Sequence, residues 1–359
     1  MLIAAVENFV LFSTLFMLAT FGVACTAKYL VKRKLWRPHP HTLSWIYTTA
    51  VWLPPAAAVW LVSAALLPQS WLGSTGFDTA HPAPVHQIHL LGALTTQFEP
   101  TLYYMMLSCA AFAVLFAAWS SVRNTMRVGD LVKRLEMGTT SPPPGQLALV
   151  EEVTARHGLD VGLVMSSYPF AFMWGVHRSK LILSSGLLCA LTAEELEGVL
   201  EHEAAHHRRR DNLAKLVLSV CSYTTLAVPL SRLILRWRAA EVELICDEVA
   251  AARTEAPLDI ADALVKMQRQ NPHFVGFTAT AAAASEFNGG AQEFKWRVCR
   301  LISIADTLPA SARVDAMSQM SWVGPLAVLS VFTTTLIGTS VFAPYAVHSV
   351  VEALIRLIS

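Results

Sequence analysis

Leu191-Thr192-Ala193-Glu194-Glu195-Leu196-Glu197-Gly198-Val199-Leu200-Glu201-His202-Glu203-Ala204-Ala205-His206 encodes a helix with its own start signal and a metal-binding face. Thr192 and Glu195 have capping-box spacing, in which the hydroxyl accepts from the third helical N–H and the carboxylate reaches back to the cap. Leu196, Leu200 and Ala204, four apart, form an apolar stripe beside a polar one. His202 and His206 share a helical face, so both imidazoles reach one ion, and Glu203 lies one position round, within reach of water on that ion. A zinc hydrolase needs three protein ligands and an open position. The two histidines supply two of these, and a carboxylate must supply the third. The chemistry implied is zinc-dependent peptide-bond hydrolysis.

Outward from this helix the chain is unusually apolar: of 359 residues 54% are hydrophobic and 15% charged, with mean hydropathy +0.46. Such a composition points to membrane spans. Residues 9–27, 44–67, 100–122 and 322–347 carry no charge, and each is long enough for a hydrocarbon layer of about 30 Å. The first lacks the basic flank of a cleaved signal peptide and reads as an uncleaved span. Lys28, Lys32, Arg33, Lys34 and Arg37 follow it, and Arg123, Arg127, Lys133 and Arg134 follow the third, which places both regions in the cytoplasm. In that topology Arg356 is the one outward member of the 27 Lys and Arg residues.

The expected layout is therefore three transmembrane helices in 1–122 with an outward loop at 68–99, a cytoplasmic metallopeptidase domain in 123–320, and a fourth span with a short outward tail in 321–359. Leu216–Leu230 is apolar but short, and His206 and Glu243 must lie on one side of the membrane to share an ion. That segment is expected to be a membrane-associated helix that does not cross. His81, His86 and His89 of the outward loop are either unremarkable or sensory.

Six scattered cysteines give no paired spacing, consistent with a reducing compartment, and a net charge of +1 gives no argument for nucleic-acid binding. Residues 146–157 read as a helix, Leu159–Met165, Phe170–Trp174 and Leu181–Ser184 as short strands, and Pro257–Gln270 and Glu293–Ile304 as further helices. Phe172-Met173-Trp174 reads either as an edge strand beside the site, open to a substrate strand, or as core aromatics. Pro142–Gly145 reads as a linker and 278–291 as a loop.

Ile182-Leu183-Ser184-Ser185-Gly186, Leu191-Thr192, Glu194-Glu195-Leu196, the His-Glu-Ala-Ala-His motif, Arg210-Asp211-Asn212 and Glu243-Leu244-Ile245-Cys246-Asp247 follow in order. Across 145–305 this order resembles the integral-membrane gluzincins, nearest to the BlaR/MecR antirepressor-type metallopeptidases and more distantly to the HtpX-like and prenyl-protease group. The resemblance implies an α-helical integral membrane protein of the bacterial inner membrane with a cytoplasmic α+β zincin-like (minigluzincin) domain. It implies one Zn2+ ion held by His202, His206 and Glu243, with Glu203 as general base and Asp247 orienting a ligand histidine. Asp211 either supports a ligand in the same way or pairs with neighbouring arginines. Glu241 competes for the third-ligand role but has Ile245 where Glu243 has Asp247, and Glu248 reads as a surface carboxylate. His273, Arg297 and Arg300 are candidate oxyanion donors by position.

The implied substrate is a protein, such as a transcriptional repressor, cut at or near the membrane. The alternatives are an HtpX-like quality-control protease and a non-catalytic zinc-binding membrane sensor or scaffold. Where β-lactam-sensing relatives carry a large domain after the last span, twelve residues follow here, so direct β-lactam sensing has no support in this sequence.

Overall fold

The computed structural model describes residues 2–66, 143–176, 179–270 and 289–306, together with 115, 119 and 123. The expected outward loop with its three histidines, nearly all of the expected third span, the expected fourth span and His273 lie outside the described residues.

Two long helices come first, α1 (Leu2–Lys32) and α2 (Pro40–Leu66). Phe9–Lys32 is long and apolar enough to cross a membrane by length and composition, the one such helix among the described residues.

The second part begins with α3 (Pro144–His157), whose first residues were expected to be linker. Proline is tolerated there because the first helical N–H has no intrahelical acceptor to lose. β1 (Asp160–Val164), β2 (Ala171–Trp174) and β3 (Lys180–Ser184) form a sheet in the order β1-β3-β2, with β1 parallel and β2 antiparallel to β3. β3 lies in the centre, and Leu181, Ile182 and Leu183 are all buried, as a strand covered on both faces requires.

Ser184 ends β3 and caps the short α4 (Ser185–Ala190), its Oγ accepting from Leu187 N–H at 3.0 Å. The metal-motif helix α5 (Ala193–Arg209) follows, and its capping box is present. Thr192 N–H donates to Glu195 Oε2 at 2.9 Å, and Glu195 N–H donates to Thr192 Oγ1 at 3.3 Å. Leu196 and Leu200 bury completely with Leu181, Leu183, Leu187 and Leu188 to form the core of this half. Each such side chain contributes about 1.5–3 kcal/mol.

Leu216–Leu230 is not one helix. It is divided between α6 (Asp211–Tyr223) and the start of α7 (Val228–Thr254), an antiparallel hairpin with its turn at 224–227 and Pro229 in the first turn of α7. Leu218 of α6 and Ile234 of α7 pack with Met17, Ala24, Tyr47 and Val51 of α1 and α2 in a second core. At the tip, Leu226 N–H donates to Thr14 Oγ1 at 3.0 Å. α8 (Pro257–Gln270) and α9 (Gly289–Ala305) complete the fold. α8 approaches α5 closely at Gly198, where a Cβ would meet Ile260 Cγ1 at 2.6 Å.

Buried Glu201, immediately before His202, ties three helices together. Its carboxylate lies 3.3 Å from Arg156 and 2.9 Å from His157 of α3, and 3.3 Å from Arg253 of α7. A buried carboxylate requires such partners, and these lock the metal-motif helix against the helix that carries Glu243.

Candidate metal centre

His202 and His206 project from one face of α5 with ring centroids 4.9 Å apart. The antiparallel return of the α6–α7 hairpin brings Glu243 opposite them. Glu243 Oε2 lies 3.5 Å from His202 Nε2, and Oε1 lies 3.6 Å from His206 Nε2. Ligands about 2.0–2.1 Å from a tetrahedral zinc are separated by about 3.3–3.4 Å, so both imidazole-to-carboxylate distances are close to those of a shared ion, and one ligand atom from each of the three residues lies within 4.8 Å of the others. Their donor set of two imidazoles and one carboxylate suits zinc. Glu203 is buried beside them, and its carboxylate makes no hydrogen bond or ion pair among the described residues.

Both imidazoles are held from behind. His202 Nδ1 lies 2.9 Å from Asp247 Oδ1, though outside the direction of a well-formed hydrogen bond. Burial works against charge on His202, but Asp247 and Glu243 outweigh it and push its pKa up to about 10. His206 Nδ1 lies 2.8 Å from Asp211 Oδ2. Asp211 reaches this position because Arg210 adopts a left-handed conformation, φ 52°, between α5 and α6. That conformation costs a non-glycine residue about 1–2 kcal/mol. Asp211 also meets the arginines, with Arg209 Nε at 3.3 Å and Arg238 Nη2 at 3.8 Å. Burial would raise its pKa, but His206, Arg209 and Arg238 hold it far below the usual carboxylate range.

Arg238 was expected to flank a membrane-associated helix but is buried, with its Nε donating to Thr48 Oγ1 of α2 at 2.9 Å. The chain of contacts Thr48–Arg238–Asp211–His206 therefore runs from the second helix to the site.

Arg297 of α9 corrects another expectation. Its Nε and Nη2 each donate to Asp247 at 2.7 Å, and Nη1 lies 3.1 Å from Glu243 Oε2. Its guanidinium is thus engaged in holding carboxylates and not available to an oxyanion. Arg300 is likewise engaged, 2.8 Å from Glu248. Glu248 is not a surface group: it is half-buried between Arg300 and His39, whose Nε2 is 3.0 Å away. Glu241 is buried on another face of α7, 4.0 Å from Lys28, and takes no part in the cluster.

A second grouping of donor atoms, His206, Asp211 and Cys246, lies behind the first. It shares the His206 Nδ1 that Asp211 already holds. Burial pushes the Cys246 thiol well above its ordinary range, whereas a metal takes the thiolate. The His202–His206–Glu243 group is the coherent one.

β2 is an edge strand, as one sequence reading expected, and it contributes to the core as well: Phe172 is buried and Trp174 is 37% exposed. Met173 of this strand lines a small cavity together with His206.

Comparison with known proteins bears on this arrangement. Residues 147–286 match the model of Peptidase family M48. Among the curated relatives that match are several named Protease HtpX homolog. The Methanopyrus kandleri protein is 30% identical over 178 residues, 41% of this chain and 52% of the relative. The Gemmatimonas aurantiaca protein is 30% identical over 108 residues, covering 29% and 37%. The Pyrobaculum calidifontis protein is 36% identical over 84 residues, covering 22% and 24%. The chain thus spans about half or less of the length of each. No solved structure matches. These similarities support a metallopeptidase domain of the M48 kind, within which the His-Glu-Ala-Ala-His helix and Glu243 both fall. Arg297 lies beyond the matched segment.

Proposed function

We propose that this chain is a membrane-bound, HtpX-like zinc endopeptidase that cuts extended protein segments near the membrane surface. The observation that carries this reading is the convergence of His202, His206 and Glu243, with buried Glu203 next to His202 in the same helix. Zinc held by those three residues would lower the pKa of a bound water toward about 7 and polarise the scissile carbonyl.

The chain's own residues do the rest. Glu203 takes the proton from the attacking water and passes it to the leaving amine. Asp247 and Asp211 orient the two imidazoles through Nδ1, leaving Nε2 of each toward the ion. The outward edge of β2 offers backbone groups on which a substrate can lie as an added strand.

Proximity to the membrane is argued from α1. Thr14 meets the hairpin tip, whereas Lys28, at the end of the charge-free stretch, lies beside Glu241, Trp237 and Trp296. Aromatic and basic residues gather at membrane interfaces, and here they gather at the level of the metal centre. The basic residues after α1 favour a cytoplasmic face. Cleavage of a repressor rests on the antirepressor resemblance alone, and the relatives named above favour the HtpX-like reading.

The test compares the full chain in lipid vesicles with its Glu203→Gln variant, measuring zinc content and mapping new termini in a mixed protein substrate. The expected result is retained zinc with cleavage reduced about 100-fold or more. Undiminished cleavage by the variant would overturn the reading.

A further inference from the structure

Asn212 stands at the end of the β2 edge and occupies it. Phe170 C=O accepts from Ser184 N–H of β3 at 3.1 Å. Antiparallel pairing alternates along a strand, so Phe172 also faces β3, while Ala171 and Met173 turn their N–H and C=O outward. Asn212 Nδ2 donates to Met173 O at 3.0 Å and to Gly175 O at 2.9 Å. Both acceptors are carbonyl oxygens, so only the amide nitrogen can face them. Among the described residues, the outward backbone groups that take no hydrogen bond are both groups of Ala171, itself a buried residue, and the N–H of Met173.

Beyond this blocked carbonyl lies the cavity of about 170 Å³ that reaches His206. It is smaller than the pockets of about 300 Å³ and above that take small molecules, a size suited to a single side chain. Met173, Val176 and Leu213 give it apolar walls, and Ser179, His207 and Arg210 give it polar ones. Asp211 also lines it, but that carboxylate is already matched by His206, Arg209 and Arg238. His207 Nδ1 is already engaged by Ser179 Oγ at 2.6 Å. Among the described residues, Arg210 is a wall cation that no carboxylate pairs.

Resting on the peptidase reading above, we propose that Asn212 sets the register of cleavage: it ends strand pairing at Met173 and directs the next substrate side chain, one tipped by a carboxylate or amide, into the cavity beside Arg210. An added strand pairs with Ala171 and the Met173 N–H, cannot continue past the Asn212 amide, and turns off the edge there. A residue such as Glu or Gln has the apolar stem for the walls and the acceptor for Arg210.

The experiment uses the full chain and a proteome-derived peptide mixture, with cleavage sites read by mass spectrometry for wild type, Asn212→Ala and Arg210→Gln, and zinc content measured for each. Wild type is expected to favour Glu or Gln at one fixed position from the cut. Arg210→Gln should lose about tenfold of its preference for Glu over Gln, the scale of one charge-assisted hydrogen bond. Asn212→Ala should keep its zinc and spread its cuts to neighbouring positions, because the freed Met173 carbonyl lets pairing run on. Unchanged positions in Asn212→Ala overturn the inference and leave the peptidase reading intact. If Asn212→Ala fails to fold, Arg210→Gln decides, and an unaltered Glu preference overturns it. Wild type showing no cleavage that depends on Glu203 overturns both.

Discussion

Asp211 Oδ2 sits 2.8 Å from Nδ1 of His206, five residues back along the chain, across the left-handed turn at Arg210. The carboxylate meets the nitrogen turned away from Glu243, so it fixes the ring without competing for the ion. Asp211→Asn is therefore expected to weaken zinc binding about 10- to 100-fold. Competition with a coloured chelator checks this, and unchanged affinity would show that Asp211 merely balances the neighbouring arginines.

Arg297 joins α9 to Glu243 and Asp247 through three short contacts. Removing it strands two carboxylates, one of them completely buried. Breaking a buried pair from one side costs about 3–5 kcal/mol. Arg297→Met should lower thermal stability by that scale in zinc-free protein, and added zinc should recover part of the loss by neutralising Glu243. Denaturation with and without zinc tests both statements, and equal stability of variant and wild type would refute them.

Glu248 provides a pH signature. Burial would raise its pKa, but His39 and Arg300 outweigh burial and hold it below the ordinary 4.5. A depressed carboxylate contributes stability above its unfolded pKa and loses it as pH falls through the folded value. The melting-temperature gap between wild type and Glu248→Gln should be widest above about pH 5 and close in more acidic solution. A gap independent of pH would show that the contacts contribute through packing alone.

The local elements were legible because their causes are local. Thr192 and Glu195 are three residues apart, His202 and His206 four, and β3 is a short apolar run, so spacing contains the geometry. Pro257–Gln270 was read to the residue for the same reason. What spacing cannot contain is the choice of partner between distant elements. Arg297 looked like a free cation because nothing near it in sequence names Asp247, fifty residues away, as its partner. Glu248 looked exposed because His39 belongs to another part of the chain. The apolar run from Leu216 to Leu230 concealed a turn at 224–227, for which Thr224, Thr225 and Pro229 were the available signal. Asp211 looked undecided between a histidine and the arginines because it serves both.

The packing of the α6–α7 hairpin on the first two helices also bears on how this protein can be handled. Leu218 and Ile234 share their core with Met17 and Tyr47, and Arg238 relies on Thr48. Trimming the chain back to residue 143 would therefore not liberate an independent soluble peptidase. It would unroof an oily seam and leave a guanidinium without its hydroxyl partner behind the paired imidazoles.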